Sequence, residues 1–443
     1  MLAHSVSRQL SASSRSRASQ ITRAFARHSS WSRSQRQMSM ASTSTASADG
    51  QNTPKLNIRV STLFGALMIV GIGSTAYGLY EFYSAFTMWP KAVREDLRAG
   101  VKAKNQGNLN TSERYLTRAL ETALALPLTD LSPNPHAKLS GISIVLGEVL
   151  ETNHKPDEAY AVYVAALERL QRAIGEGSSK GAEGGVTVSG PERVRAAALA
   201  FKLAEMAEEY SQPEAEEEKW LVYAVEELLR VLRDTQTHAG KQKADSSRDV
   251  AEDVKGGGYS DKVDLDELEL PAWVRRDDVV APLERLGAFY GRTGKQEYSI
   301  PLYLSALSIL LPPNSHHASA ETKCQGAHIM NSLASSLAQA STTPERLPKA
   351  EAWAKKAIAV VTSVRSSSVQ EDPEVLGQCD AVLVAALFNM GSLKESGGSI
   401  DEAKEWYTSA QKQATSIKMR EGIIESEQAL RRLKRHTSNE TRS

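Results

Sequence analysis

Small and large apolar residues recur in a fixed order along residues 91–435. The clearest run is Asn389-Met390-Gly391-Ser392-Leu393-Lys394, then Gly397-Gly398, then Asp401-Glu402-Ala403-Lys404-Glu405-Trp406-Tyr407 and Ala410. Gly391 to Ala403 is 12 residues, Ala403 to Tyr407 is 4 and Ala403 to Ala410 is 7. The run predicts two amphipathic helices joined by a tight, glycine-containing turn. The same frame returns at Leu146-Gly147, Ala159, Tyr163 and Ala166, and at Gly100, Gly107, Ser112, Leu116 and Ala119. It returns again at Leu286-Gly287, Tyr290, Gly294, Tyr303, Ala306 and Pro312-Pro313, with Ser299 at the first alanine position. Looser copies run through Leu333-Ala334, Ala350, Ala354 and Ala357, and through Phe201 to Ala224.

This spacing resembles the tetratricopeptide repeat, a 34-residue helix–turn–helix with small residues where its helices cross. A small residue at the crossing lets the helices approach, and the large residue between the last two small ones fills the groove of the next pair. No pair buries its face alone, so neighbours must stack. The predicted fold is all-α, a repeat solenoid over 91–435. Its crossing residues are Gly100, Ala119, Gly147, Ala159, Ala166, Gly287, Ala306, Ala350, Ala357, Gly391, Ala403 and Ala410. Gly/Ser-rich residues 175–191 and polar residues 235–262 are expected as loops. A last helix over about 417–435 reads as a polar-faced cap, followed by a polar tail at 436–443. Residues 261–270 form an acidic strip, read as a solvated edge or as a dock for a basic partner.

Ahead of the repeats the pattern changes. Residues 60–80 hold no Asp, Glu, Lys or Arg. Such a run is long enough to cross a hydrocarbon core of about 30 Å. Tyr77, Tyr80, Tyr83 and Trp89 cluster at its far end, as an interfacial aromatic belt would. Small residues such as Gly71, Thr75, Ser74 and Gly78 stand one turn apart, a spacing that suits helix pairing.

Charge then divides the chain further. The formal net charge is zero, with 53 basic and 53 acidic residues. Residues 1–59 carry nine basic residues against Asp49, so the body beyond the span is acidic. That excludes a uniformly basic nucleic-acid binder. Residues 1–48 contain seven Arg, abundant Ser and no acid, the composition of a mitochondrial transit peptide. Arg23-Ala24-Phe25-Ala26 and Arg36-Gln37-Met38 are the candidate processing sites. Lys55 and Arg59, in the linker 49–59, precede the span and Glu81 follows it, so the body is expected in the intermembrane space.

Catalytic chemistry has no candidate. There is no Walker loop, HExxH or paired CxxC, and no cofactor is expected. His316, His317, Cys324 and His328 fall within 13 residues, without the further ligand a firm metal spacing needs. Cys324 and Cys379 are expected as reduced packing cysteines, with a disulfide in an oxidising compartment as the alternative.

The first helices of the pairs should form an inner wall for peptide binding. Inward positions of the first repeat are Leu97, Val101, Lys104 and Asn105, only half of them polar, which argues against a carboxylate clamp. Elsewhere Ile144, Glu148, Glu151, Phe388, Ser392 and Glu395 mix apolar and acidic groups. This wall predicts partners that are unfolded, apolar or basic segments. The order of transit-like head, span, aromatic exit Tyr80-Glu-Phe-Tyr-Ser-Ala-Phe-Thr-Met-Trp-Pro90 and repeat body resembles the fungal adaptor subunit of the inner-membrane i-AAA protease. The resemblance implies a non-enzymatic adaptor that binds the protease complex and delivers unfolded membrane-protein substrates. A tetratricopeptide assembly factor of respiratory complex III has a similar layout and implies an assembly or maintenance role.

Overall fold

The computed structural model describes residues 88–179, 188–246, 270–271, 273–312, 318–340, 346–367 and 373–440. The expected transit peptide, linker and span at 60–80 lie outside the described residues, as do His316, His317 and residues 261–269 of the acidic strip. Among the described residues the secondary structure is all-α, with no strand. In chain order the helices are α1 (Lys91–Asn105), α2 (Leu109–Ala125), α3 (Pro135–Thr152), α4 (Pro156–Ser179), α5 (Gly190–Glu209) and α6 (Glu214–Ser246). They continue with α7 (Arg276–Arg292), α8 (Gln296–Leu310), α9 (Ala320–Gln339), α10 (Arg346–Ser367), α11 (Pro373–Ser396), α12 (Ile400–Ser416) and α13 (Arg420–Glu440). Two compact units divide inside α4, between Ala166 and Leu167.

The first unit contains α1, α2, α3 and the start of α4. Gly100 faces Leu116, and Gly147 faces the ring of Tyr163 so closely that an added Cβ would overlap it. Ser112 Oγ donates to the Gly100 carbonyl at 2.8 Å, which satisfies a hydroxyl where other repeats carry alanine. A short 3₁₀ turn, Leu128–Leu131, buries Leu131 before α3. Lys138 sits in the first turns of α3 and is itself buried. Its Nζ donates to the Met88 carbonyl at 2.7 Å and to the Ser132 carbonyl at 2.9 Å, and lies 5.9 Å from the Trp89 ring centroid. Burial pushes this ammonium down. The residues just ahead of α1 are thereby fastened to α3.

The second unit stacks α5/α6, α7/α8, α9/α10 and α11/α12, with α13 packed against α12 and α11. Gly287 faces Tyr303 and Gly391 faces Tyr407, the frame seen at Gly147. Ser299 Oγ donates to the Gly287 carbonyl at 2.8 Å, the bond that Ser112 makes in the first unit. All twelve small crossing residues are buried. α11 is long and apolar enough to cross a membrane, but half of its most apolar window is buried against neighbouring helices. It is a core helix.

Six helix ends share one turn. Asn108, Lys155, Gln212, Lys295, Ser399 and Met419 each donate a backbone N–H to the carbonyl five residues earlier. This bond closes the Schellman motif, whose penultimate residue is left-handed. Glycine occupies that place at Gly107, Gly294 and Gly398, with φ of 77°, 79° and 79°. His154, Ser211 and Lys418 occupy it at φ of 59°, 53° and 58°.

Three boundaries differ from the sequence reading. α4 runs to Ser179 and α5 starts at Gly190, so the expected 175–191 loop is shorter. Ser189 closes it, its N–H and Oγ each donating to the Glu192 carboxylate at 2.9 Å. α6 continues to Ser246, through the first part of the loop expected at 235–262. Residues 235–246 contain no proline, and adding residues to an existing helix costs far less than nucleating one. α13 likewise runs from Arg420 to Glu440, because left-handed Lys418 delays its start and nothing in 436–440 stops it.

Candidate interaction surface

The repeat frame places the first helix of each pair, α1 and α3 in one unit and α5, α7, α9 and α11 in the other. On α1 and α11 the residue after the crossing position is exposed, and on α3, α7 and α9 it is partly buried. Val101 follows Gly100 and is 37% exposed, and Ser392 follows Gly391 and is also exposed. The residue three before the crossing position behaves otherwise. Leu97 and Glu284 are partly buried, while Ile144 and Phe388 are buried. Ile144 and Phe388 are therefore core residues, which corrects their assignment to the inner surface. The reason is direct for Phe388. Its ring lies 4.8 Å from that of Tyr407, and Ala403, Ala410, Ala429 and Leu433 close over it from α12 and α13.

The acidic inner positions are already engaged. Glu148 pairs with Lys104, joining α3 to α1. Glu208 pairs with Arg285 and Arg292, joining α5 to α7, and Arg292 also pairs with the buried Glu217 of α6. Burial pushes the Glu217 carboxyl up, and Arg292 partly offsets this. Glu284 pairs with His328 Nε2 at 3.2 Å, joining α7 to α9. Asn389 Nδ2 donates to Asn331 Oδ1 at 3.0 Å, joining α11 to α9. Glu395 accepts from Arg432 of α13 at 2.6 and 2.9 Å.

Most of these acids thus spend their charge inside the body, on ties between helices. Glu148 and Glu395 remain at the inner surface, but as paired groups. What they leave open is a mixture of apolar and small polar side chains, exemplified by Val101 and Ser392. Cys324 is bonded to Cys379, so it is not a free thiolate beside His328, and two reduced cysteines give way to a disulfide.

Two residues join the site that spacing alone did not single out as functional. Tyr163 OH donates to Glu151 at 2.7 Å, and Tyr407 OH donates to Glu395 at the same distance. Both tyrosines lie 16 residues after their glycine, and both acceptors lie four after it. Burial and, second, the Glu395 carboxylate hold the Tyr407 hydroxyl well above its ordinary range. Outside the inner wall, a groove of 420 Å³ between α10 and α12 is lined by Ile358, Ala359 and Trp406 with Lys355 and Thr362 beside them.

No family model matches the chain. A TPR repeat-containing protein of Schizosaccharomyces pombe (strain 972 / ATCC 24843) is 27% identical over 157 residues, or 34% of this chain and 40% of that protein. The chain spans only that two-fifths of the relative's length. Among solved structures, BtubC (BKLC) from P. vanneervenii aligns over 70% of this chain and 92% of its own at 14% identity, with a TM-score of 0.42. The TPR2AB-domain:pHSP90 complex of yeast Sti1 aligns over 77% and 98% at 12% identity, with a TM-score of 0.25. These superpositions are loose, and the repeat assignment rests on the chain's own frame and turns. The fold is tetratricopeptide-like. Helical repeats of this kind are protein-interaction scaffolds, typically without catalytic chemistry, and present extended binding surfaces.

Proposed function

We propose that this chain is a single-pass adaptor of the mitochondrial inner membrane whose repeat body lies in the intermembrane space. It recruits unfolded membrane-protein segments to the i-AAA protease. The observation that carries this reading is the order along the chain: an acid-free, Arg/Ser-rich head, an uncharged run at 60–80 and an acidic repeat body. The inner surface supports segments recognised mainly by apolar burial, because its acids are paired within the body.

Affinity purification of the full chain in mild detergent tests the partner. Enrichment of an AAA protease of the inner membrane is expected. Enrichment of complex III subunits in its place would replace this reading with an assembly role, and enrichment of neither would remove both. Protease treatment of mitoplasts tests the placement. The body should be digested once the outer membrane is ruptured, and a body still protected would refute the intermembrane-space assignment.

A further inference from the structure

Cys324 and Cys379 are the two cysteines of the chain, and they form a disulfide with Cα atoms 5.2 Å apart. Cys324 is in the second turn of α9 and Cys379 in the second turn of α11. The bond therefore ties the opening turns of two successive first helices and encloses the whole of α10. These turns lie well ahead of the crossings at Ala334 and Gly391, so the small-residue frame does not hold them.

The pair that the bond follows, α9/α10, crosses on alanines. Ala334, Ala350, Ala354 and Ala357 are all fully buried there. Ala354 stands where the flanking pairs carry Tyr303 and Tyr407. A buried aromatic ring contributes roughly 150–250 Å² of covered surface, and here the rings that pack on the alanines, Trp353 and Trp406, are only partly buried. Its core is completed by Met390 and Leu393 from α11. Both sulfurs are enclosed, with Cys324 3% and Cys379 0% exposed.

We propose that this disulfide is the clamp on the opening turns of α9 and α11 that the small-residue frame does not supply, made while the C-terminal unit folds by exchange with an oxidised thiol oxidoreductase. The two cysteine thiols give up two electrons and two protons as one S–S bond forms between them. The oxidoreductase disulfide breaks, takes both electrons and leaves as two thiols. Burial sets the order of events: the oxidant reaches the sulfurs before α9 and α11 dock, and docking then shields the bond from reductants. Persistent disulfides belong to oxidising compartments. The bond rests on the geometry of this chain, and its assignment to the intermembrane space rests on the placement proposed above.

Thiol trapping on the full chain tests the bond. Cells are quenched in trichloroacetic acid, and the chain is denatured with N-ethylmaleimide present to block every free thiol, then reduced and exposed to a polyethylene-glycol maleimide. Two added tags are expected. No tag would mean that both thiols were free and blocked at the start, and would overturn the proposal. The purified full chain should lose on the order of 10 °C in thermal midpoint when unfolded, reduced and refolded with dithiothreitol. The Cys324→Ala/Cys379→Ala variant should match that reduced midpoint. Equal midpoints for the oxidised and reduced parent would overturn the stabilising role, even if the variant fails to accumulate. Trapping and protease protection fail separately. A bonded chain on the matrix side sinks the placement alone, and an unbonded chain in the intermembrane space sinks the bond alone.

Discussion

At the α11–α12 crossing a glycine receives a tyrosine ring, whereas one repeat earlier, at α9–α10, alanines meet alanines. In the first case Gly391 makes the space, Tyr407 fills it and Glu395 fixes the hydroxyl at 2.7 Å. In the second no ring stands at the corresponding position. Met390 and Leu393 of α11 close the crossing with the partly buried Trp353 and Trp406, and the bond between Cys324 and Cys379 ties the helices further along. The same helix–turn–helix path is thus held by insertion in one place and by close approach plus a covalent tie in another. A common frame of small residues says where helices cross. It does not say what fills the crossing.

The largest expected effect separates the two crossings directly. Tyr407→Ala should cost about 3–5 kcal/mol in urea unfolding, because the ring is fully buried and Gly391 leaves nothing to collapse into its place. Ala354→Gly should cost only about 1 kcal/mol. Equal losses would erase the distinction. Next, Gly391→Ala should cost about 1–3 kcal/mol, since its new Cβ would stand 2.8 Å from Tyr407 Cδ1. Combining it with Tyr407→Ala should relieve the clash, so the pair of substitutions should be less than additive.

Tyr407→Phe should cost about 1 kcal/mol at neutral pH by removing the hydrogen bond to Glu395. It should also flatten the alkaline limb of the stability profile. The folded Tyr407 hydroxyl keeps its proton at pH values where the unfolded one has lost it. Its contribution is therefore complete below the unfolded value of about 10 and declines as pH rises above it. Tyr223 and Tyr290, each pushed up to about 12 chiefly by burial, should retain part of that limb in the variant. Denaturant midpoints from pH 8 to 12 would show both effects. The smallest change is a gain. His154→Gly should stabilise the first unit by about 0.5–1 kcal/mol by relieving a left-handed non-glycine residue, while the same substitution at Lys404, inside α12, should destabilise.

Much of the fold was legible because the crossing needs a small residue at a fixed offset. Gly147, Ala159 and Ala166 could be found by counting alone. The inner surface was less legible. Ile144 and Phe388 lie on the expected helices but are buried, and Phe388 packs on α12 and α13. The charge of the wall was misleading for a related reason. Glu395 is neutralised by Arg432, 37 residues later, and Glu208 by Arg285, 77 residues later. No local pattern announces such partners. The repeat frame sets Cys324 and Cys379 near the starts of successive first helices, but spacing does not say that their Cα atoms close to 5.2 Å, and the sequence alone favours a reduced pair. The continuation of α6 to Ser246 shows the opposite limit, where polar composition read as a loop is also compatible with an elongating helix.

The buried Lys138 has a mechanical consequence. Because its ammonium grips the Met88 carbonyl and the Ser132 carbonyl together, tension applied at residue 88 is shared between α1 and the start of α3. Arg94 adds a second grip one residue further on, donating to the Trp89 carbonyl at 2.7 Å. A pull from that side must therefore shear two attachments at once before it can peel α1 away turn by turn.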